Sequence, residues 1–163
     1  MTPPDRDSGR ASKSGAGEDT IDMGMLTDSV GYNLRCAQVV MFQDFNRSLG
    51  HTEITPPQFG ALILINANPG ISQSRVARTL RFDRSTLVQI IDRLEERGLV
   101  VREVSAHDRR SHALKLTADG ARMLTEIETL ALDHEAKVTS ALSSGDKRTL
   151  TALLQKIYRP DDS

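Results

Sequence analysis

Cysteine occurs once in the 163 residues, at Cys36, so no internal disulfide framework is available. No apolar run reaches the roughly 18 residues that a membrane-spanning helix needs. The N-terminus also lacks a charged-then-apolar signal layout, so a cytoplasmic chain with no membrane partner is expected. A phosphate-cradling glycine loop, a nucleophile motif and a clustered acid/base set are all missing, which argues against an enzyme. The four histidines, His51, His107, His112 and His134, are scattered, with no paired spacing on one helix. That pattern gives no metal site, places most of them at the surface, and leads us to expect no cofactor. What is present, 38% apolar and 26% charged residues over this length, suits one ordinary globular domain with a real core.

The formal net charge is only −1, and that average hides an asymmetry. Between Gly70 and Lys115 ten Lys/Arg stand against six Asp/Glu, a surplus of four, which leaves −5 on the rest of the chain. A locally basic face supplies the phosphate-neutralising term that dominates nucleic-acid affinity, whatever the global charge.

Periodicity makes the chain mainly α-helical with one small β-hairpin. Residues 1–20, rich in Pro, Gly, Ser and mixed charge, read as a disordered arm, its Arg6, Arg10 and Lys13 either solvated or brushing DNA. Val30, Leu34, Ala37, Val40, Met41 and Phe45 predict an amphipathic helix from Thr27 or Asp28 to about Leu49, ended by Gly50. A second helix is expected from about Pro57 to near Asn66, burying Phe59, Leu62, Ile63 and Ile65; proline at a first helical position gives up no hydrogen bond. Ser72 caps a short helix that turns Val76, Ala77 and Leu80 inward. Asp83 caps the next, which reaches Arg97 and buries Leu87, Ile90, Ile91 and Leu94 as one stripe. Gly98 reads as its left-handed cap. Leu99–Val104 and Ala113–Thr117 then read as strands around a polar turn. A long helix follows from Thr117 to about Leu142, with Leu124, Ile127, Leu130, Ala131, Val138 and Leu142 on its apolar stripe. A last helix starts at Asp146, carries Leu150, Leu153, Leu154 and Ile157, and is closed by Pro160.

Two short helices back to back, followed at once by a basic hairpin, form a device for holding double-stranded DNA: a helix fills the major groove and the hairpin reaches the backbone or minor groove. On the helix after Asp83, the residues Arg84, Ser85, Thr86, Gln89 and Arg93 lie on or near the face opposite the buried stripe. These side-chain types bond base edges and phosphates: Arg to guanine, Gln to adenine, Ser and Thr to either or to the backbone. An ordinary solvated face is the alternative, and the flanking helix and hairpin weigh against it. Ser72, Ser74 and Arg75 open the preceding helix, whose free amides and dipole suit a phosphate. Ser72 serves either as cap or as phosphate contact, since it has one hydroxyl. The hairpin tip holds His107, Asp108, Arg109 and Arg110. An arginine on a narrow projecting loop suits the negative potential of a minor groove, while Asp108 is better placed to hold a neighbouring arginine.

The run DRSTLVQIIDRLEERGLVVREVSAHDRRSHALKLTADG resembles the signature of the MarR family of winged helix-turn-helix regulators, in its DRST entry, DRLEERGLVVR exit, wing DRR and LTADG helix opening. The helix order matches from about Asp28 to Tyr158, and the specific motifs lie between Gly70 and Gly120. The resemblance implies a homodimer joined through terminal helices (28–50 and 118–158) around a winged helix-turn-helix lobe (56–117), all within a domain spanning 21–163. It also implies a wing arginine at Arg110 and a ligand pocket between the dimerisation helices and the lobe. Pairing is physically reasonable too, because one lobe cannot cover the apolar stripes of both terminal helices. Two copies would set their recognition helices about 34 Å apart on a pseudo-palindromic site.

The resemblance also implies control by a small organic effector, an aromatic acid or an acyl thioester, that releases a repressor from DNA. Phe42, Phe45, Arg47, His51 and Phe59 form the candidate pocket, with apolar walls and polar anchors, though each phenylalanine also suits plain core. Two alternatives stand beside this reading. One is a constitutive DNA binder without an effector. The other is a redox sensor through Cys36, near Tyr32, a cysteine otherwise expected to be buried and inert.

Overall fold

Helix boundaries in this chain fall where a short polar side chain takes up the first free amides. The computed structural model describes residues 21–104 and 112–159; the expected arm at 1–20 and the wing turn at 105–111 lie outside the described residues. Helix α1 (Val30–Leu49) starts after Ser29, whose hydroxyl accepts from the Tyr32 amide, two residues later than Asp28. Helix α2 (Pro56–Ala67) starts at Pro56, because Thr55 and Gln58 form a reciprocal capping box. Ser72 and Asp83 cap α3 (Gln73–Leu80) and α4 (Arg84–Glu96) as expected. Gly98 takes the left-handed φ of 68° that the end of α4 requires.

Strands β2 (Val100–Val104) and β3 (His112–Leu116) pair antiparallel, with Val100 opposite Leu116 and Val104 opposite His112. A further strand, β1 (Ile71–Ser72), was not foreseen; it pairs with the outer side of β3, giving the order β1-β3-β2. Helix α5 (Ala118–Val138) ends four residues before Leu142. Helix α6 (Ser144–Tyr158) begins earlier than Asp146, because Ser143 is the cap and Asp146 the third helical residue of a capping box. No described helix is long and apolar enough to cross a membrane.

One core joins these elements. Leu62, Ile65, Val76, Leu87, Ile91, Leu94, Val100, Leu114 and Ile127 are fully enclosed, with Phe45 and Leu49 added from the end of α1. Ile63, expected inside, is exposed: α2 buries Gln58, Ala61, Leu62 and Ile65, and Ile63 falls outside that stripe. The start of α5 is held against the β2 entry by Thr117, whose hydroxyl donates to Gly98 O (2.6 Å) while accepting from the Gly120 amide (2.9 Å). Gly120 faces the backbone so closely that a Cβ there would overlap the Leu99 carbonyl. Little of α1 and none of α6 is buried: Val30, Leu34, Val40, Leu150, Leu153 and Ile157 all face outward.

Candidate nucleic-acid interface

The turn between α3 and α4 fixes the angle at which α4 leaves α3. Arg81 closes α3 in the left-handed region (φ 57°), its amide bonded to Ala77 and Arg78 carbonyls, and the Phe82 amide also returns to Ala77 O (2.9 Å). A non-glycine residue there costs of order 1 kcal/mol. Tertiary contact holds it: the Arg81 guanidinium donates to the Tyr158 carbonyl at the end of α6 and lies 5.5 Å from the Tyr158 ring centroid.

Asp83 organises the first turn of α4. Its carboxylate accepts from the Thr86 amide (2.8 Å), the Ser85 hydroxyl (2.5 Å) and the Thr86 hydroxyl (2.6 Å). Those bonds, the Ser85 hydroxyl first among them, hold the Asp83 carboxyl well below the usual carboxylate range. With both hydroxyl protons directed at Asp83, Ser85 and Thr86 present only lone pairs outward. In this arrangement they suit an amine on a base edge better than a phosphate oxygen.

The expected DNA-facing residues separate into two groups. Arg84, Ser85, Gln89 and Arg93 are exposed on α4, and Thr86 is half-buried beside them. Ser74 and Arg75 are exposed on α3, together with Arg78, which sequence reasoning passed over although it shares their outward face. Ser72 is half-buried, and its hydroxyl caps α3 by accepting from the Arg75 amide (3.4 Å) while lying 3.2 Å from the Ser74 hydroxyl. The turn carrying Arg109 and Arg110 is outside the described residues.

Other arginines of the basic segment have structural duties. Arg102 on β2 reaches both Asp92 and Glu95 of α4, clamping the wing strand to that helix. Arg97, at the end of α4, donates to the Thr52 and Glu53 carbonyls (2.9 Å each), tying α4 to the turn after α1. Lys115 pairs with Glu103 across the hairpin (2.7 Å). Arg75, Arg78, Arg84 and Arg93 pair with no acid among the described residues, and so remain available to a polyanion.

The five candidate effector residues fall in different settings among the described residues. Phe45 is buried, packs 6.0 Å from the Phe59 ring and meets His134 edge-on at 5.6 Å, while Phe59 is half-buried. Phe42 is exposed, and the exposed His51 lies 3.9 Å from Glu126. Arg47 instead borders an open cleft of about 250 Å³ between α1 and α5, lined by Val40, Gln43, Asp44, Arg47, Lys137 and Val138.

Asp44 was not foreseen, nor was His134 as a buried residue. The Asp44 carboxylate accepts from Lys137 Nζ (2.6 Å), His134 Nδ1 (3.0 Å) and the Ser48 hydroxyl (3.3 Å), with Arg47 at 3.7 Å. The Lys137 and His134 bonds lower its pKa to about 2. His134 is thus a satisfied core histidine rather than a surface one. Cys36 is exposed rather than buried, and its thiol, one turn from Tyr32, raises the Tyr32 pKa by hydrogen bonding.

Comparison with known proteins agrees with this architecture. A family model described as MarR family matches residues 52–111. A transcriptional regulatory protein for the hcr operon of Thauera aromatica is 37% identical over 139 residues, covering 85% of this chain and 84% of that protein. The transcriptional repressor CouR bound to a 23-mer DNA duplex matches with TM-score 0.81 and 39% identity, over 85% of this chain and 99% of CouR. CouR bound to p-coumaroyl-CoA matches at 0.78 and 38%, over 85% and 98%. The chain therefore belongs to the MarR family of winged helix-turn-helix transcriptional regulators.

Proposed function

We propose that this regulator is a repressor that grips a pseudo-palindromic operator as a homodimer and lets go when an aromatic acyl thioester of coenzyme A binds. The observation that carries the DNA half is the capped α4 with exposed Arg84, Ser85, Gln89 and Arg93, flanked by Ser74 and Arg75 on α3. Arg84, Ser85, Thr86 and Gln89 enter the major groove, and Arg93, Ser74 and Arg75 meet phosphates, with Ser72 shaping that helix end. Arg109 and Arg110 at the wing tip meet the backbone or minor groove. The domain spans 21–163, with a lobe at 56–117 and dimerisation helices at 28–50 and 118–158.

The apolar residues left outside on α1 and α6 support pairing of two chains, with Leu153 54% and Ile157 59% exposed in a single one. The effector class rests on the likeness to a repressor seen with both a DNA duplex and p-coumaroyl-CoA. Release then needs only that the thioester binds the non-operator form more tightly, by the factor by which operator affinity falls.

Fluorescence anisotropy on a labelled operator tests this. p-Coumaroyl-CoA should lower operator affinity at least roughly tenfold, a coupling of about 1.4 kcal/mol, whereas free p-coumarate should act more weakly. No response to any aromatic acyl thioester would leave a constitutive binder.

A further inference from the structure

The two oxygens of Asp44 have different duties. Oδ2 faces inward, to His134 and Ser48, and holds α1 against α5. Oδ1 faces the cleft and draws both Lys137 (2.6 Å) and Arg47 (3.7 Å) to one point. Those two cations are largely solvent-exposed, at 59% and 75% of their side chains, whereas Asp44 is at 9%. Counting Asp44, the cleft mouth carries a net +1, and its two cations converge on an acceptor that already has other partners. An incoming anion can take both cations while Oδ2 keeps its bonds.

We infer that the Arg47–Lys137 cleft is a subsite for a phosphoryl group carried by the effector, in which phosphate oxygens replace Asp44 Oδ1 as the shared acceptor of the two cations. A guanidinium and an ammonium side by side suit the several oxygens of a phosphate, one by planar forked donation and the other as a point charge. At about 250 Å³ the open cleft holds one phosphoryl group and part of its carrier, not a whole acyl thioester. The subsite is not confined to one helix. Arg47 and Asp44 lie on the last turns of α1, whose following turn is bonded by Arg97 at the end of α4. A change in how α1 meets α5 therefore has a short hydrogen-bonded connection to the reading helix.

This inference rests on the effector reading above, but it can fail separately, because binding is read without DNA. The probe is adenosine 3′,5′-bisphosphate, titrated calorimetrically into the full chain, with inorganic phosphate as a second arm. Wild type should bind the bisphosphate with Kd below about 1 mM. Lys137→Gln and Arg47→Gln should each weaken binding roughly tenfold, and Asp44→Asn, which removes the competing charge, should tighten it severalfold.

Unchanged Kd in both cation variants would overturn the subsite, as would a loss confined to Arg84→Gln, which would place the anion on the DNA face. Inorganic phosphate should bind at least roughly tenfold more weakly, and equal affinity would overturn the assignment to an effector-borne group. Operator release by p-coumaroyl-CoA, measured in parallel, separates the readings. Normal release in Lys137→Gln and Arg47→Gln sinks the subsite alone, and no release in wild type sinks the effector.

Discussion

The lobe from α2 to β3 and the helices α1 and α6 use their apolar residues in opposite ways. In the lobe, α4 encloses Leu87, Ile90, Ile91 and Leu94, and its partners α2, α3 and β3 enclose theirs, so each element is covered within one chain. Helix α6 has a comparable leucine-isoleucine stripe and buries none of it, and α1 covers only Phe45 and Leu49 of its own. The lobe is thus covered within one chain, with Phe45 and Leu49 of α1 and Leu124 and Ile127 of α5 closing its core, while the apolar stripe of α6 and most of that of α1 stay uncovered. The proposed reading surface follows the same division: α4 is held by Asp83, Arg97 and Arg102 within one chain, and on the proposed pseudo-palindrome each copy of it would read one half-site.

That contrast can be broken at its strongest point first. Gly120→Ala drives a methyl into the Leu99 backbone, and the start of α5 has nowhere to retreat; thermal unfolding should report a loss of about 3 kcal/mol or more. Leu153→Asp, on the uncovered stripe, should leave helical circular dichroism intact yet break the dimer and weaken operator binding about a hundredfold or more, as the second half-site is lost. Arg110→Ala should weaken binding roughly tenfold and lower the salt slope by about one. Gln89→Ala should instead relax preference at one base pair by about 1–3 kcal/mol and leave that slope alone.

A smaller effect concerns acid. Asp44 titrates near 2 in the folded chain against an ordinary 3.8, so its ionised form stabilises the fold above about pH 4. That contribution disappears as pH falls toward 2. Melting temperatures of Asp44→Asn should therefore fall less steeply across this window than those of the wild type. Smallest of all, Cys36→Ser should leave peroxide response and operator binding unchanged; a lost response would support the redox reading instead.

Much of the lobe was legible because its signals are local. Ser72, Asp83 and Gly98 announce their caps, and the stripe of α4 repeats at helical spacing. Strand β1 escaped notice because two residues have no period, and only pairing with β3 makes Ile71–Ser72 a strand. The α5 boundary differs because Leu142 continues the apolar spacing past Val138, where α5 ends, up to the residue before the Ser143 cap of α6.

Asp44 and His134 were missed for a different reason. Each is a polar residue at a core position of its own helix, Asp44 next to Phe45 and His134 between Leu130 and Val138. That placement is the available signal, and it names a partner only once two helices 90 residues apart are packed together. Residue type and helical spacing marked the outward set on α4, but not that Asp83 accepts hydrogen bonds from the Ser85 and Thr86 hydroxyls, nor that Arg97 and Arg102 are occupied within the fold.

The division between a lobe covered within one chain and terminal helices left partly uncovered is tested most directly by stoichiometry. Sedimentation equilibrium of the full chain with a short operator duplex should give two chains per duplex, and two chains per particle without DNA. One chain bound per duplex at saturation, from a monomeric protein, would contradict the account.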